Sequence, residues 1–268
     1  MAPAPSITAA SRVLRGARSS AASRAIAEEA PVALVYNNVV QAVMMATPAD
    51  LEDFAWGFTL TEGIAADADE IVGVAVRVAR DGTELHITVE EDAALRAAAR
   101  ERRLVGRSGC GLCGVASLTD AMVQPRAVGR SLRVAPAALE AALAALPEFQ
   151  PLNRETHAVH AAAWAAPDGR ILLAREDVGR HNALDKLVGA MARGHVDPAR
   201  GFCLITSRCS YEMVQKAMVA GIELLVAVSA PTGLALRLAE AAGMTLVAVA
   251  RADAQTVFTH PERLGLNP

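Results

Sequence analysis

Residues 202–250 read FCLITSRCSYEMVQKAMVAGIELLVAVSAPTGLALRLAEAAGMTLVAVA. Three short apolar runs, at 202–206, 224–228 and 246–250, have the length and composition of buried strands. The stretches between them, at 211–220 and 231–242, carry apolar residues at helical spacing. Strands alternating with helices at this interval call for a largely parallel sheet covered on both faces. The fold class is therefore α/β. Upstream, runs at 160–165 and 170–174 flank the turn signal Asp168-Gly169, and a helix begins near Arg180.

Further outward, residues 32–46 form two apolar runs around Asn37-Asn38, a hairpin signature. Thr47-Pro48-Ala49-Asp50 then reads as a helix start, with Thr47 as the cap. That helix carries Leu51, Phe54, Ala55 and Phe58 on one face and stops near Gly63. A second hairpin, 71–78 with 84–89, turns at Asp81-Gly82, and 91–104 reads as a helix. The expected organisation is a disordered Arg/Ala-rich tail over 1–30, a small α+β domain over 31–105, and an α/β sandwich domain over 106–268. The tail expectation rests on Arg12, Arg15, Arg18 and Arg24 among Ala and Ser, with no acidic residue before Glu28.

The chain has 268 residues and a formal net charge of −3, from 26 basic and 29 acidic side chains. That balance excludes a strongly basic nucleic-acid binder, and 3% aromatic residues argue against a base-stacking platform. Four cysteines are too few for a disulfide scaffold in a chain this long. No apolar run reaches the ~18 residues of a membrane span. A cytoplasmic protein with reduced thiols is expected. Of the basic residues only Lys186 and Lys216 are lysines.

The strongest chemical signal is Arg107-Ser108-Gly109-Cys110-Gly111-Leu112-Cys113-Gly114. Two thiols two residues apart can share one substrate, form a disulfide or hold one face of a metal. The glycines leave the sulfurs unshielded, and Arg102, Arg103 and Arg107 favour the thiolate. Structural zinc needs two further ligands; His157 and His160 could complete a site but lie at the start of an expected strand, and no second Cys-x-x-Cys exists. Cys203 and Cys209 read as core. A second signal, Arg175-Glu176-Asp177-Val178-Gly179-Arg180-His181-Asn182-Ala183-Leu184-Asp185-Lys186, falls where a strand passes into a helix, the usual ligand edge of an open α/β sheet. A capping and ion-pair cluster would look the same. The turns Ser207-Arg208-Cys209-Ser210 and Ser229-Ala230-Pro231-Thr232-Gly233 point to the same edge. The closing stretch Phe258-Thr259-His260-Pro261-Glu262-Arg263 offers an aromatic, an imidazole and a guanidinium.

These motifs, in this order and together with residues 44–58, resemble the formate dehydrogenase accessory sulfurtransferases of the FdhD family, from about residue 31 to 263. The resemblance implies a three-layer fold similar to the cytidine deaminases, and a homodimer. It implies a sulfurtransferase that takes sulfur from a cysteine desulfurase as a persulfide on Cys110, assisted by Cys113. The acceptor is the molybdenum bis(molybdopterin guanine dinucleotide) cofactor of formate dehydrogenase, with no permanently bound metal, nucleic acid or membrane partner. The expected cofactor-binding residues are Phe258, Thr259, His260, Pro261, Glu262 and Arg263, which match the family's C-terminal segment. Gly179, Arg180, His181, Asn182 and Lys186 join them from the strand-end edge. His157-Ala158-Val159 lacks the glutamate of the deaminase signature, which speaks against deaminase chemistry. The competing reading is a zinc- or partner-binding scaffold for a metalloenzyme subunit.

Overall fold

The computed structural model describes residues 3–104 and 124–267. It opens with β1 (Ser6–Arg15) and β2 (Arg18–Ala27), antiparallel from Ser6↔Ala27 to Arg15↔Arg18. This corrects the expected disordered tail. Gly16, at φ 61°, supplies the left-handed residue that a two-residue hairpin turn requires. The base of the hairpin rests on a helix more than 120 residues away, where Ser6 Oγ donates to Glu155 at 3.3 Å. Composition alone carries no trace of that contact.

β3 (Ala30–Tyr36), β4 (Val39–Ala46), β5 (Ile71–Ala79) and β6 (Gly82–Val89) form a four-stranded sheet in the order β4-β3-β6-β5. Both expected hairpins are present, though the second turns at Arg80-Asp81, with Ala79 opposite Gly82, one residue before the expected Asp81-Gly82. Asn37 and Asn38 take φ 45° and 71°, the pair of positive values that a type I′ turn needs. α1 (Leu51–Thr61) packs Phe54 and Phe58 against Val32, Leu34, Leu85 and Ile87. Its start differs from expectation: Asp50 is the N-cap, with φ 52° and no side-chain cap. The Thr47 hydroxyl is instead taken by the amide of Val178, which donates to it at 3.1 Å. α2 (Glu91–Leu104) follows.

The second half begins with α3 (Pro136–Ala145) and α4 (Pro151–Thr156), then β7 (His160–Ala165), β8 (Ile171–Asp177) and α5 (Arg180–Arg193). β9 (Phe202–Ile205), α6 (Tyr211–Val219), β10 (Leu224–Ala227), α7 (Gly233–Ala242), β11 (Thr245–Ala248) and β12 (Thr256–Thr259) complete it. The six strands lie in the order β12-β11-β10-β9-β7-β8. β9, β10 and β11 are parallel, as residues 202–250 predict, while β7 and β12 run against their neighbours. α5, α6 and α7 cover one face around Leu184, Met213 and Leu238, and α3 covers the other with Leu139 and Leu143. The result is the three-layer α/β arrangement.

α1 joins the two sheets because it also lies against α5. A Cβ on Gly57 would meet the Asp185 carbonyl oxygen at 1.6 Å, and one on Gly189 would meet the Asp53 carbonyl oxygen at 1.8 Å. The helices therefore touch backbone to backbone, a contact no side chain permits. Gly57→Ala and Gly189→Ala are each expected to lose more than about 4 kcal/mol of stability or fail to fold. Gly73→Ala, where nothing lies within 4 Å of the new carbon, should stay within about 0.5 kcal/mol of the parent. Urea unfolding of the three variants checks this.

Candidate functional site: a polar strand-end edge and a C-terminal groove

Asp177 ends β8 fully buried. Its Oδ2 pairs with Lys186 Nζ at 2.6 Å and accepts from the Thr47 amide at 3.0 Å. Its Oδ1 accepts from the Gly179 amide at 2.8 Å and from Asn182 Nδ2 at 3.0 Å. Asn182 also donates to the Met45 carbonyl, and Lys186 to the Thr47 carbonyl, both at 2.9 Å. A Cβ on Gly179 would crowd Asn182 Nδ2 at 2.9 Å. Three residues expected at a ligand surface thus have another task. Lys186 and Asn182 point inward, and Gly179 makes room for them. Glu176 is likewise structural, accepting from the Leu152 and Asn153 amides at the start of α4, and burial pushes its carboxyl up.

Arg180 and His181 sit in the first turn of α5 and remain partly open to solvent. Arg180 Nε is buried with no hydrogen-bond partner among the described residues. His181 Nε2 meets Glu212 Oε2 at 3.0 Å, and that hydrogen bond holds the Glu212 carboxyl below its ordinary range. His160 completes the cluster. It opens β7 directly opposite Asp177, and its imidazole is held below the usual histidine range, first by burial and then by the charges of Arg180 and His181. The sequence offered His160 only as a zinc ligand. Its place here follows from β7–β8 register.

The loops after β9 and β10 are joined at this edge. The Cys209 amide donates to the Ala230 carbonyl at 3.1 Å, and the Thr232 amide to the Cys209 carbonyl at 3.0 Å. Cys209 itself is buried, with its thiol pushed up to about 12, and burial also pushes Cys203 up. Neither supplies a thiolate at neutral pH. Cys110 and Cys113 lie outside the described residues. Among the described residues no three His, Cys, Asp or Glu side chains are grouped to hold a metal ion.

The closing segment lies elsewhere. β12 pairs Thr259 with Leu246 and Thr256 with Ala248, so Phe258 and its successors stand at the end where β10 and β11 begin. Arg180 and His181 stand where β8 and β9 finish, at the other end of the strands and three to five strands away, or about 14–24 Å across the sheet at ordinary strand spacing. One chain therefore does not bring the two expected groups into one pocket. Phe258, 40% exposed, lines a groove with Leu236, Arg237, Glu240 and Ala241. His260, at φ 48°, places its ring between Glu262 Oε1 at 3.1 Å and the Glu240 carbonyl at 3.0 Å. Pro261 starts a short 3₁₀ turn, and Glu262 is exposed. Thr259 and Arg263 turn inward. Thr259 accepts from the Leu246 amide and donates to the Met244 carbonyl. Arg263, 2% exposed, pairs with Glu223 at 3.2 Å and donates to the Gly129 carbonyl. Glu223 also accepts from the Leu132 amide at 3.0 Å and from Ser131 Oγ. The chain that follows the cysteine-bearing segment is thereby bound to the closing segment. In the sequence Glu223 shows only as a break in an apolar run.

Comparison with known proteins agrees with this architecture. The family model described as the FdhD/NarQ family matches residues 27–265. A protein of Xanthomonas euvesicatoria named sulfur carrier protein FdhD is 50% identical over 252 residues, covering 94% of this chain and 90% of its own. One of the same name from Cupriavidus necator is 49% identical over 239 residues, covering 89% and 83%. A crystal structure described as a formate dehydrogenase accessory protein from Desulfotalea psychrophila superposes with a TM-score of 0.76 at 27% identity, covering 97% of this chain and 99% of that one. The chain belongs to the FdhD/NarQ family.

Two outcomes follow from the geometry. Lys186→Met leaves the Asp177 carboxylate buried without its ammonium and should cost about 3–5 kcal/mol, measured by denaturant unfolding. Arg180→Gln removes one of the charges that hold His160 down, so the His160 midpoint should rise, read by histidine NMR titration. Adding guanosine diphosphate to the parent should raise it as well if phosphate binds here.

Proposed function

We propose that this protein is a sulfur carrier that serves formate dehydrogenase, with Cys110 as the sulfur-bearing residue and Cys113 as its assistant. The observation that carries this reading is its ~50% identity, over most of its length, to proteins named as sulfur carriers. The fate of the other two thiols supports it. Cys203 and Cys209 are buried and held as thiols, so thiolate chemistry falls to Cys110 and Cys113.

In this reading the Cys110 thiolate attacks the outer sulfur of a persulfide on a cysteine desulfurase. The desulfurase thiolate leaves, and Cys110 carries the sulfur as its own persulfide. Attack by the Cys113 thiolate on the inner sulfur then forms a Cys110–Cys113 disulfide and releases the outer sulfur as hydrosulfide to the acceptor. A cellular dithiol returns the disulfide to two thiols. The acceptor substrate is the molybdenum bis(molybdopterin guanine dinucleotide) cofactor destined for formate dehydrogenase. The Phe258 groove is suited to an aromatic base, and its link to residues 129–132 through Arg263 and Glu223 sets it beside the chain leaving the cysteine-bearing segment. Arg180, whose Nε is buried with no partner among the described residues, and the imidazoles of His181 and His160 form a polar edge with donors suited to phosphate. A dinucleotide cofactor is long, and two separated contact regions in a homodimer suit it better than one pocket would. The proposed compartment is the cytoplasm; among the described residues no helix is long and apolar enough to cross a membrane.

The test is mass spectrometry after incubation with a desulfurase and cysteine. The mass of one sulfur atom should appear on Cys110 in the parent and be absent in Cys110→Ala. In a strain lacking the natural carrier, Cys110→Ala should leave formate dehydrogenase activity at background while its own unfolding midpoint stays unchanged. A stoichiometric zinc held by Cys110 and Cys113 in the purified protein would favour the scaffold reading instead.

A further inference from the structure

The β1–β2 hairpin has no role in the site. Residues 10–21 are all exposed, and at the usual rise per residue this free tip extends about 20 Å beyond its base. A lone two-stranded hairpin is marginal in water. This one also sets Arg15 directly opposite Arg18, a like-charge pair that opposes pairing. Strand register places Arg15, Arg18 and Arg24 on one face together with Ile7, Val13 and Ile26. No acidic residue occurs in residues 1–27, so the arm carries +4; set against −3 for the whole chain, this leaves −7 on the remainder. The family match begins at residue 27, so the arm lies outside it.

An arm of this kind needs an acidic, partly apolar surface. Successive residues alternate between faces, so Val13 and Leu14 point to opposite sides and offer no joint wedge for a bilayer. The described arm contains no aromatic residue for stacking bases. The chain itself supplies a complement. Asp67, Asp69, Glu90, Glu91 and Asp92 are exposed at one end of the four-stranded sheet, where the Glu90 amide donates to the Glu70 carbonyl at 3.0 Å and holds the two acidic stretches together. The neighbouring Arg96 is committed to Glu70 and to the Ile64 carbonyl. The arm's own base is seated on α4, beside Glu155.

We propose that the hairpin is an exchange arm: its arginine face docks on the acidic end of the four-stranded sheet of a second copy of this chain. Two such contacts related by a two-fold axis close the assembly. This rests on the homodimer reading above and names the surface that makes the dimer. It predicts that salt weakens association, because the contact is made by exposed charges.

Sedimentation equilibrium of the full chain at low salt tests it. Three variants are compared: Arg15→Glu with Arg18→Glu and Arg24→Glu; Asp69→Arg with Glu90→Arg and Glu91→Arg; and all six together. Circular dichroism verifies that each is folded. Either triple reversal should raise the dimer dissociation constant at least about tenfold, equivalent to about 1.4 kcal/mol. The sixfold swap should bring it back to within about threefold of the parent. A chain lacking residues 2–27 should dissociate like the arm reversal. A monomeric parent overturns both the dimer and the arm. A dimer indifferent to the arm reversal overturns the arm alone, as does a sixfold swap that restores nothing. Arm-dependent binding to vesicles of anionic phospholipid, with dimerisation unaltered, would assign the arm to a membrane surface and also overturn the proposal.

Discussion

Helices α1 and α5 lie close enough that a carbonyl oxygen occupies the place of a side chain at Gly57 and again at Gly189. Among the described residues this seam is the most extensive contact between the two halves. Two buried lysines secure the residues that flank α1. Lys186 binds Asp177 and the carbonyl of Thr47, just before the helix. Lys216 binds Asp185 and the hydroxyl of Thr61, its last residue. Between them Asp53 accepts from Arg175 at 2.7 Å and Arg193 at 2.5 Å. Desolvating so many charges offsets much of their Coulomb attraction, so such pairs contribute registry more than net stability. A helix shifted by one turn would leave carboxylates buried without cations.

The seam also shapes the turn at the strand-end edge. By drawing Asp177, Asn182 and Lys186 inward, it fixes the turn between β8 and α5 and leaves Arg180 and His181 facing outward beside His160 and Glu212. Residues committed inward in this way hold the exposed ones of the same turn in fixed positions. At the opposite end of the sheet, Arg263 and Glu223 do the same for the Phe258 groove. In both places one set of residues in a motif binds the protein to itself, and the next set is held at the surface.

Much of this was legible in the chain, and the reasons are local. Asn37-Asn38 and Asp81-Gly82 announce turns through backbone preferences that act over four residues, and the apolar runs of 202–250 announce strands through length and composition. The hairpin over residues 6–27 was not legible: its strands are rich in Ala and Ser, and the contact that seats it comes from Glu155. The Thr47 cap was misread because a hydroxyl able to cap a nearby helix was claimed by an amide 131 residues away. The two lysines among the arginines are both buried at the seam, at 0% and 6% exposure, where each ammonium pairs with a buried aspartate.

The α/β class, the parallel core of the sheet and both hairpins of the four-stranded sheet were readable along the chain. These follow from periodicity, turn chemistry and residue identity, which are properties of neighbours along the chain. Tertiary structure alone decided which members of each motif face inward, that Arg180 and Phe258 stand at opposite ends of the sheet, that His160 lies opposite Asp177 and that Glu223 pairs with Arg263. Strand order and register set those outcomes, and the contacts that turn Asp177, Asn182 and Lys186 inward join residues 130 to 139 positions apart. No local pattern encodes a neighbour at that distance, because burial and charge pairing exist only once the sheets and helices have met.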